Sequence, residues 1–200
     1  MTYKKQFKKS FSYTWYLYLF AIVVPSVVFP LSYSFMHRPK QYETISVFLP
    51  CELKNDKAED ILLEKFKDLG VRKFEFITAD AANEYNFAKK ISVVGYNRCD
   101  VIIVPEDKLE KVGVFTTSIE LTSEIKNLCK IDSEKIFKVE EVDYAVELPE
   151  NNPLKEYGKF LEESNYYAFI NAKSYNIGEY SQYKPNTTNT FEFMKYCLGK

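Results

Sequence analysis

Residues 10–36 carry no formal charge, and inside them residues 15–31 (WYLYLFAIVVPSVVFPL) form an almost unbroken apolar run. At ~1.5 Å per residue a helix over residues 15–35 is about 31 Å long, enough to cross a bilayer core. The pattern therefore predicts one membrane helix at 13–36, preceded by a basic tail at 1–12 and followed by a linker at 37–42. Pro25 and Pro30 fall inside the span, where a missing backbone donor is tolerated and bends the helix.

Beyond the linker the pattern shortens and alternates. TISVFLP is a brief apolar, β-branched run, and NDKAEDILLEKFKDLG then reads as a helix: Asn55 or Asp56 caps it, Leu62, Phe66 and Leu69 share a face, and Gly70 stops it. VRKFEFITAD is the next strand, and EYNFAKKISVVG is a helix through Phe87, Ile91 and Val94 that Gly95 closes. DVIIVPED is an apolar run between acids, as expected of a strand buried on both faces. This β-α-β-α-β order predicts an α/β fold: a three-layer domain over 43–200 with a mostly parallel sheet, core strand order 2-1-3 and later strands added. The later elements are a short helix through Leu121, Ile125 and Leu128, and a half-exposed strand in which Val142, Tyr144, Val146 and Leu148 alternate with Asp143, Ala145 and Glu147. After them come a helix from Asn152-Pro153 through Leu154, Tyr157 and Leu161, a strand in YYAFINAKSYNIG, and a last helix from Thr190 through Phe191, Met194 and Leu198.

Charge orients the picture. Lys4, Lys5, Lys8 and Lys9 precede the span and only Arg38, Lys40 and the single histidine His37 closely follow it, which puts the N-terminus in the cytoplasm and the domain outside a cell membrane. The apolar run exceeds a signal-peptide core, and bulky Tyr33 and Phe35 flank the small-x-small candidate Ser32-Tyr33-Ser34, so the span reads as an uncleaved anchor. Residues 41–200 hold 21 basic and 28 acidic side chains, a net −7 that repels nucleic acid and anionic lipid surfaces. Cys51, Cys99, Cys129 and Cys197 contain no close ligand pair for zinc. They allow three complete disulfide pairings, among which the sequence does not choose, or serve as small buried hydrophobes. His37 stands ahead of the domain, so no Ser-His or Cys-His pair has a base within it, and the six glycines form no phosphate loop. The expectation is a protein that is not an enzyme and takes no cofactor.

The run of elements from TISVFLP through VRKFEFITAD to CDVIIVPEDKL, closing with YYAFINAKSYN and TFEFMKYCL, resembles the first lobe of extracytoplasmic solute-binding proteins of the type 2 periplasmic-binding class. The resemblance is one of layout and covers most of residues 43–198. It implies a ligand-binding or accessory component beside a transporter. Members of that class bind ligand between two lobes, whereas this length holds one lobe and a remnant.

Ligands of open parallel sheets sit beyond the carboxyl ends of the strands. Those ends are Pro50-Cys51-Glu52, Thr78-Ala79-Asp80 and Pro105-Glu106-Asp107, so a solute site would draw on Glu52, Thr78, Asp80, Glu106 and Asp107, with Tyr85 or Tyr42 as an aromatic wall. Carboxylates there can bind a sugar hydroxyl or an amine; their commoner role is to cap helices and stay solvated. The leading expectation is a membrane-anchored domain of solute-binding type, with a small solute and a transporter or other membrane protein as partners. The alternative is a single-pass interaction protein that keeps the scaffold and binds no small molecule.

Overall fold

The computed structural model describes residues 3–132, 135–161 and 164–200, and the chain divides into two compact units, residues 1–39 and 40–200. The first is a single helix, α1 (Tyr3–His37), longer than the apolar run predicts because the helix continues into the lysine-rich tail. Its stretch Thr14–His37, 24 residues at a mean hydropathy of 1.9, is long and apolar enough to span a membrane. Pro25 and Pro30 lie within it, and the Ser26 hydroxyl donates to the Ile22 carbonyl at 2.7 Å.

The second unit is an α/β domain around one six-stranded mixed sheet. The strands are β1 (Thr44–Leu49), β2 (Lys73–Thr78), β3 (Val101–Pro105), β4 (Ile136–Val139), β5 (Val142–Glu147) and β6 (Tyr166–Ile170), in the order β2-β1-β3-β6-β5-β4. β1 pairs parallel with β2 and β3, which gives the 2-1-3 core, with Val47 opposite Phe76 and Val101. The other three pairings, β3 with β6, β6 with β5 and β5 with β4, are antiparallel, so the expectation of a mostly parallel sheet is corrected. Two local features explain it. Glu140 and Glu141 alone join β4 to β5, and a two-residue turn can connect only antiparallel strands. The helix expected from Asn152 shrinks to a 3-10 turn at Pro153–Glu156, leaving Leu161 59% exposed, so among the described residues no crossover helix carries the chain to a parallel β6.

The helices are α2 (Ala58–Phe66), α3 (Glu84–Lys90), α4 (Tyr96–Arg98), α5 (Leu109–Val112), α6 (Val114–Thr117), α7 (Ser123–Cys129) and α8 (Asn189–Cys197). Alternation along the strands splits the core in two, because successive side chains point to opposite faces. Ile45, Val47, Leu49, Phe74, Phe76, Val101 and Ile103 pack on one face with Leu62 and Phe66 of α2, Ile125 of α7 and Phe191, Phe193 and Met194 of α8. Phe48, Ile102, Val104 and Phe169 pack on the other with Phe87, Ile91, Leu109 and Val114. β5 is an inner strand, so Ala145 and Val146 are both buried where a half-exposed strand was expected.

Gly70 ends the first helical segment as the sequence predicts, at a left-handed φ of 78°. Gly95 does not close the second. Helix runs through a π-type turn at Ile91–Gly95 and on to Arg98, and a Cβ at Gly95 would stand 3.0 Å from Ile91 Cγ1 and 3.4 Å from Phe48 Cδ2. Its smallness serves close packing of helix on sheet.

Candidate functional site at the strand ends

A groove of ≈ 570 Å³ opens beyond the carboxyl ends of β1 and β2. Cys51, Glu52, Thr78, Ala79 and Asp80 form its strand-end wall, and Asn83, Asn86, Lys89, Lys90, Val93 and Val94 form the helical wall. The strand-end wall is shaped by backbone bonds that run past the sheet, from Ala79 N to Leu49 O at 3.0 Å and from Ala81 N to Pro50 O at 3.2 Å. Asp80 Oδ1 accepts from Ala82 N at 2.9 Å, and the Asn83 side chain caps α3 by accepting from Asn86 N at 3.1 Å. These short bonds turn the chain sharply from β2 into α3 and set the acids of the loop against the lysines of the helix.

The groove carries both signs of charge. Glu52 is ion-paired to Lys159 at 3.0 Å across an exposed surface, while Asp80 spends one oxygen on its own turn and has no cation partner among the described residues. Lys89 and Lys90 make no ion pair among the described residues. Cys51 is buried against the groove floor, where burial pushes its thiol up to about 12 and keeps it protonated and unreactive.

Three of the sequence-derived site residues, Glu52, Thr78 and Asp80, come together here. The others stand apart. Glu106 Oε2 accepts from Asn165 Nδ2 at 3.0 Å and its N–H donates to Asn165 O at 3.0 Å, which ties the end of β3 to β6. Asp107 lies 3.2 Å from Lys108 Nζ, which also donates to Glu84 at 2.6 Å; Lys111 reaches the same Glu84 at 3.2 Å. Those two lysines hold the Glu84 carboxyl below its ordinary range, and Glu84 in turn raises Lys108. Tyr85, 75% exposed, lines a second groove of ≈ 460 Å³ between α3 and α5, whose charges are already paired. Tyr42 belongs to a 3-10 turn before β1, at the other end of the strand, with Lys40 over its ring at 5.6 Å.

All four cysteines are free and buried. The described residues contain no group of three His, Cys, Asp or Glu placed to hold a metal ion.

The most heavily built polar constellation was missed from sequence, and it lies at the opposite end of the sheet. Asp100, 5% exposed just before β3, accepts at Oδ2 from Ser46 N at 2.8 Å and at Oδ1 from Ser174 Oγ at 2.5 Å and Asn176 Nδ2 at 3.1 Å. Asn171 Nδ2 donates to the Cys99 carbonyl at 2.7 Å, and Thr187 Oγ1 donates to Asn176 Oδ1 at 2.6 Å. Burial pushes the Asp100 carboxyl up to about 6 against the opposing pull of its three donors. The available signal was the break of apolar pattern after Ile170, where NAKSYN places Asn171, Ser174 and Asn176 in a row of polar residues. No family model, curated protein or solved structure matches this chain.

Proposed function

We propose that this chain is a membrane-anchored, extracytoplasmic domain that binds a small polar solute in the groove beyond β1 and β2 and acts beside a transporter or other membrane protein. The observation that carries the reading is the groove itself. It is of small-molecule size, it sits where an α/β sheet offers its strand ends, and it is lined by Asp80 together with Lys89 and Lys90, which make no ion pair among the described residues. The apolar stretch of α1 supports anchoring, and the lysines ahead of it support an external domain. The resemblance of the sequence's run of elements to the first lobe of type 2 solute-binding proteins supports this role, with one lobe doing the binding.

Two experiments test it. Protease added to spheroplasts should digest the domain; full protection would refute the orientation. A thermal-shift screen of amino acids, sugars, polyamines and short peptides on the full chain in detergent should find a stabilising solute. The double change Asp80→Asn with Lys89→Gln should abolish that shift while leaving the unliganded melting temperature unchanged. No stabilising solute, together with a membrane protein that co-purifies through exposed Tyr85 and Val93, would replace this reading with the interaction-protein one.

A further inference from the structure

We propose that the Asp100 cluster is a proton-linked clamp that fastens the domain's lead-in segment, residues 41–44, to the polar segment 171–190, and that it grips most tightly with Asp100 protonated. The geometry is that of a fastening between parts of the chain far apart in sequence. Asn176 Nδ2, while bonded to Asp100, also donates to the Thr44 carbonyl at 2.8 Å and the Gln41 carbonyl at 3.4 Å, and Thr187 Oγ1 reaches the Tyr42 carbonyl at 3.5 Å. Ser174 Oγ stands between Asp100, the Asn176 N–H at 2.9 Å and Thr190 Oγ1 at 3.3 Å at the start of α8. Asn176 is thus the joint at which the two segments meet, and Asp100 holds it by accepting from Asn176 Nδ2 and from Ser174 Oγ.

The carboxylate is buried with donors but, among the described residues, without an ion-paired cation. The charged and titratable groups on the strands and segments beside it are Arg98 and Cys99 ahead of it, Glu75 opposite Ser46, Tyr42 and Glu43 in the lead-in, and Lys173 and Tyr175 around Ser174. Cys99 is a buried neutral thiol, Arg98 is committed to Glu75 at 3.3 Å, and Lys173 donates to Asn97 at 3.0 Å. A buried charge with neutral partners alone is costly, so opening the clamp to water is favoured once Asp100 ionises. The protonated form has a place in the same network: its O–H can donate to Ser174 Oγ while the serine hydroxyl turns to Thr190 Oγ1.

The sign follows from burial raising this carboxyl from 3.8 to about 6. Its contribution to holding the clamp shut is complete below about pH 4 and is lost as pH rises through 6. The opening equilibrium should increase about tenfold between pH 5 and pH 7.5. Hydrogen exchange of the full chain in detergent, corrected for intrinsic rates, reads it at the amides of Gly178, Thr187 and Thr190, which donate within this segment. The expected result is a tenfold loss of protection there, no change at the Phe87 amide in α3, and a flat pH profile in Asp100→Asn. If that variant does not fold, Ser174→Ala removes one donor to the carboxylate and should move the midpoint to higher pH. Protection that is independent of pH in the native chain, an equal change at Phe87, or a midpoint lowered or unmoved by Ser174→Ala overturns the proposal.

Discussion

The two ends of this sheet are built by opposite rules. At the carboxyl ends of β1 and β2 the polar residues are local and exposed: Asp80 bonds two residues along the chain, Asn83 three, and Glu52 pairs with a lysine on the surface. At the amino ends, Asp100 is buried and its partners lie 54, 74 and 76 residues away. Polar groups whose loss leaves nothing buried are free to serve a solute. Polar groups whose loss orphans buried donors are committed to the fold. Under the proposed function, the contrast puts solute binding at the exposed end and cohesion at the buried end.

The largest expected effect is at the buried end. Asp100→Ala leaves the Ser46 N–H, the Ser174 hydroxyl and the Asn176 amide without their acceptor. It should cost about 3–4 kcal/mol and lower the melting temperature by roughly 10 °C in calorimetry. A drop within 2 °C would erase the comparison. The second effect is the dependence on pH already described: two pH units between the ordinary and the buried Asp100 correspond to about 3 kcal/mol, present in acid and lost above pH 6. Asp143 works in the other direction, because Lys126 and Lys138 hold its carboxyl low and its contribution disappears as pH falls. Comparing the native chain with Asp100→Asn in denaturant titrations separates the two.

A smaller effect probes the floor of the groove. A Cβ at Gly158 would come within 2.7 Å of Cys51 Sγ and of Phe160 Cε2, so Gly158→Ala should destabilise by about 1–3 kcal/mol and narrow the groove at Cys51. The β4–β5 turn offers a gain. Glu140 and Glu141 both hold positive φ, 50° and 67°, a conformation that suits Asn-Gly and strains glutamate. Glu140→Asn with Glu141→Gly should stabilise by about 1–2 kcal/mol in urea unfolding. At the exposed end, Glu52→Gln and Asp80→Asn should each change stability by less than about 0.5 kcal/mol.

The sequence made one half of the molecule legible and hid the other for physical reasons. TISVF, KFEFI and VIIV declare themselves because each is a short apolar or alternating run and the first two are each followed by a helical pattern, and right-handed crossovers then leave one sensible arrangement, the observed β2-β1-β3. The antiparallel half carries weaker signals. Its hairpin turn is Glu-Glu with no glycine or asparagine, and the apolar pattern at Leu154 and Tyr157 buries both residues in a 3-10 turn as readily as in a helix. At the candidate groove, the strand-end rule named three of the residues that line it, Glu52, Thr78 and Asp80. It could not tell that Glu106 would be taken up by Asn165, or that α3 would divide Tyr85 from the groove. Asp100 was invisible because a buried carboxylate is defined by partners in distant segments, and a lone acid before an apolar strand looks like a solvated flank.

The central claim is that the exposed strand ends, not the buried amino ends, hold a solute. Titrating the isotope-labelled full chain in detergent with the solute selected by thermal shift, and following backbone amide resonances, tests it most directly. Saturable shifts concentrated at Glu52, Thr78, Asp80, Asn86 and Lys89, with the amides of Ser46, Asp100 and Asn176 unmoved, are the expected result. Shifts that cluster around Asp100 and Asn176, or that do not saturate at any of these positions, would contradict it.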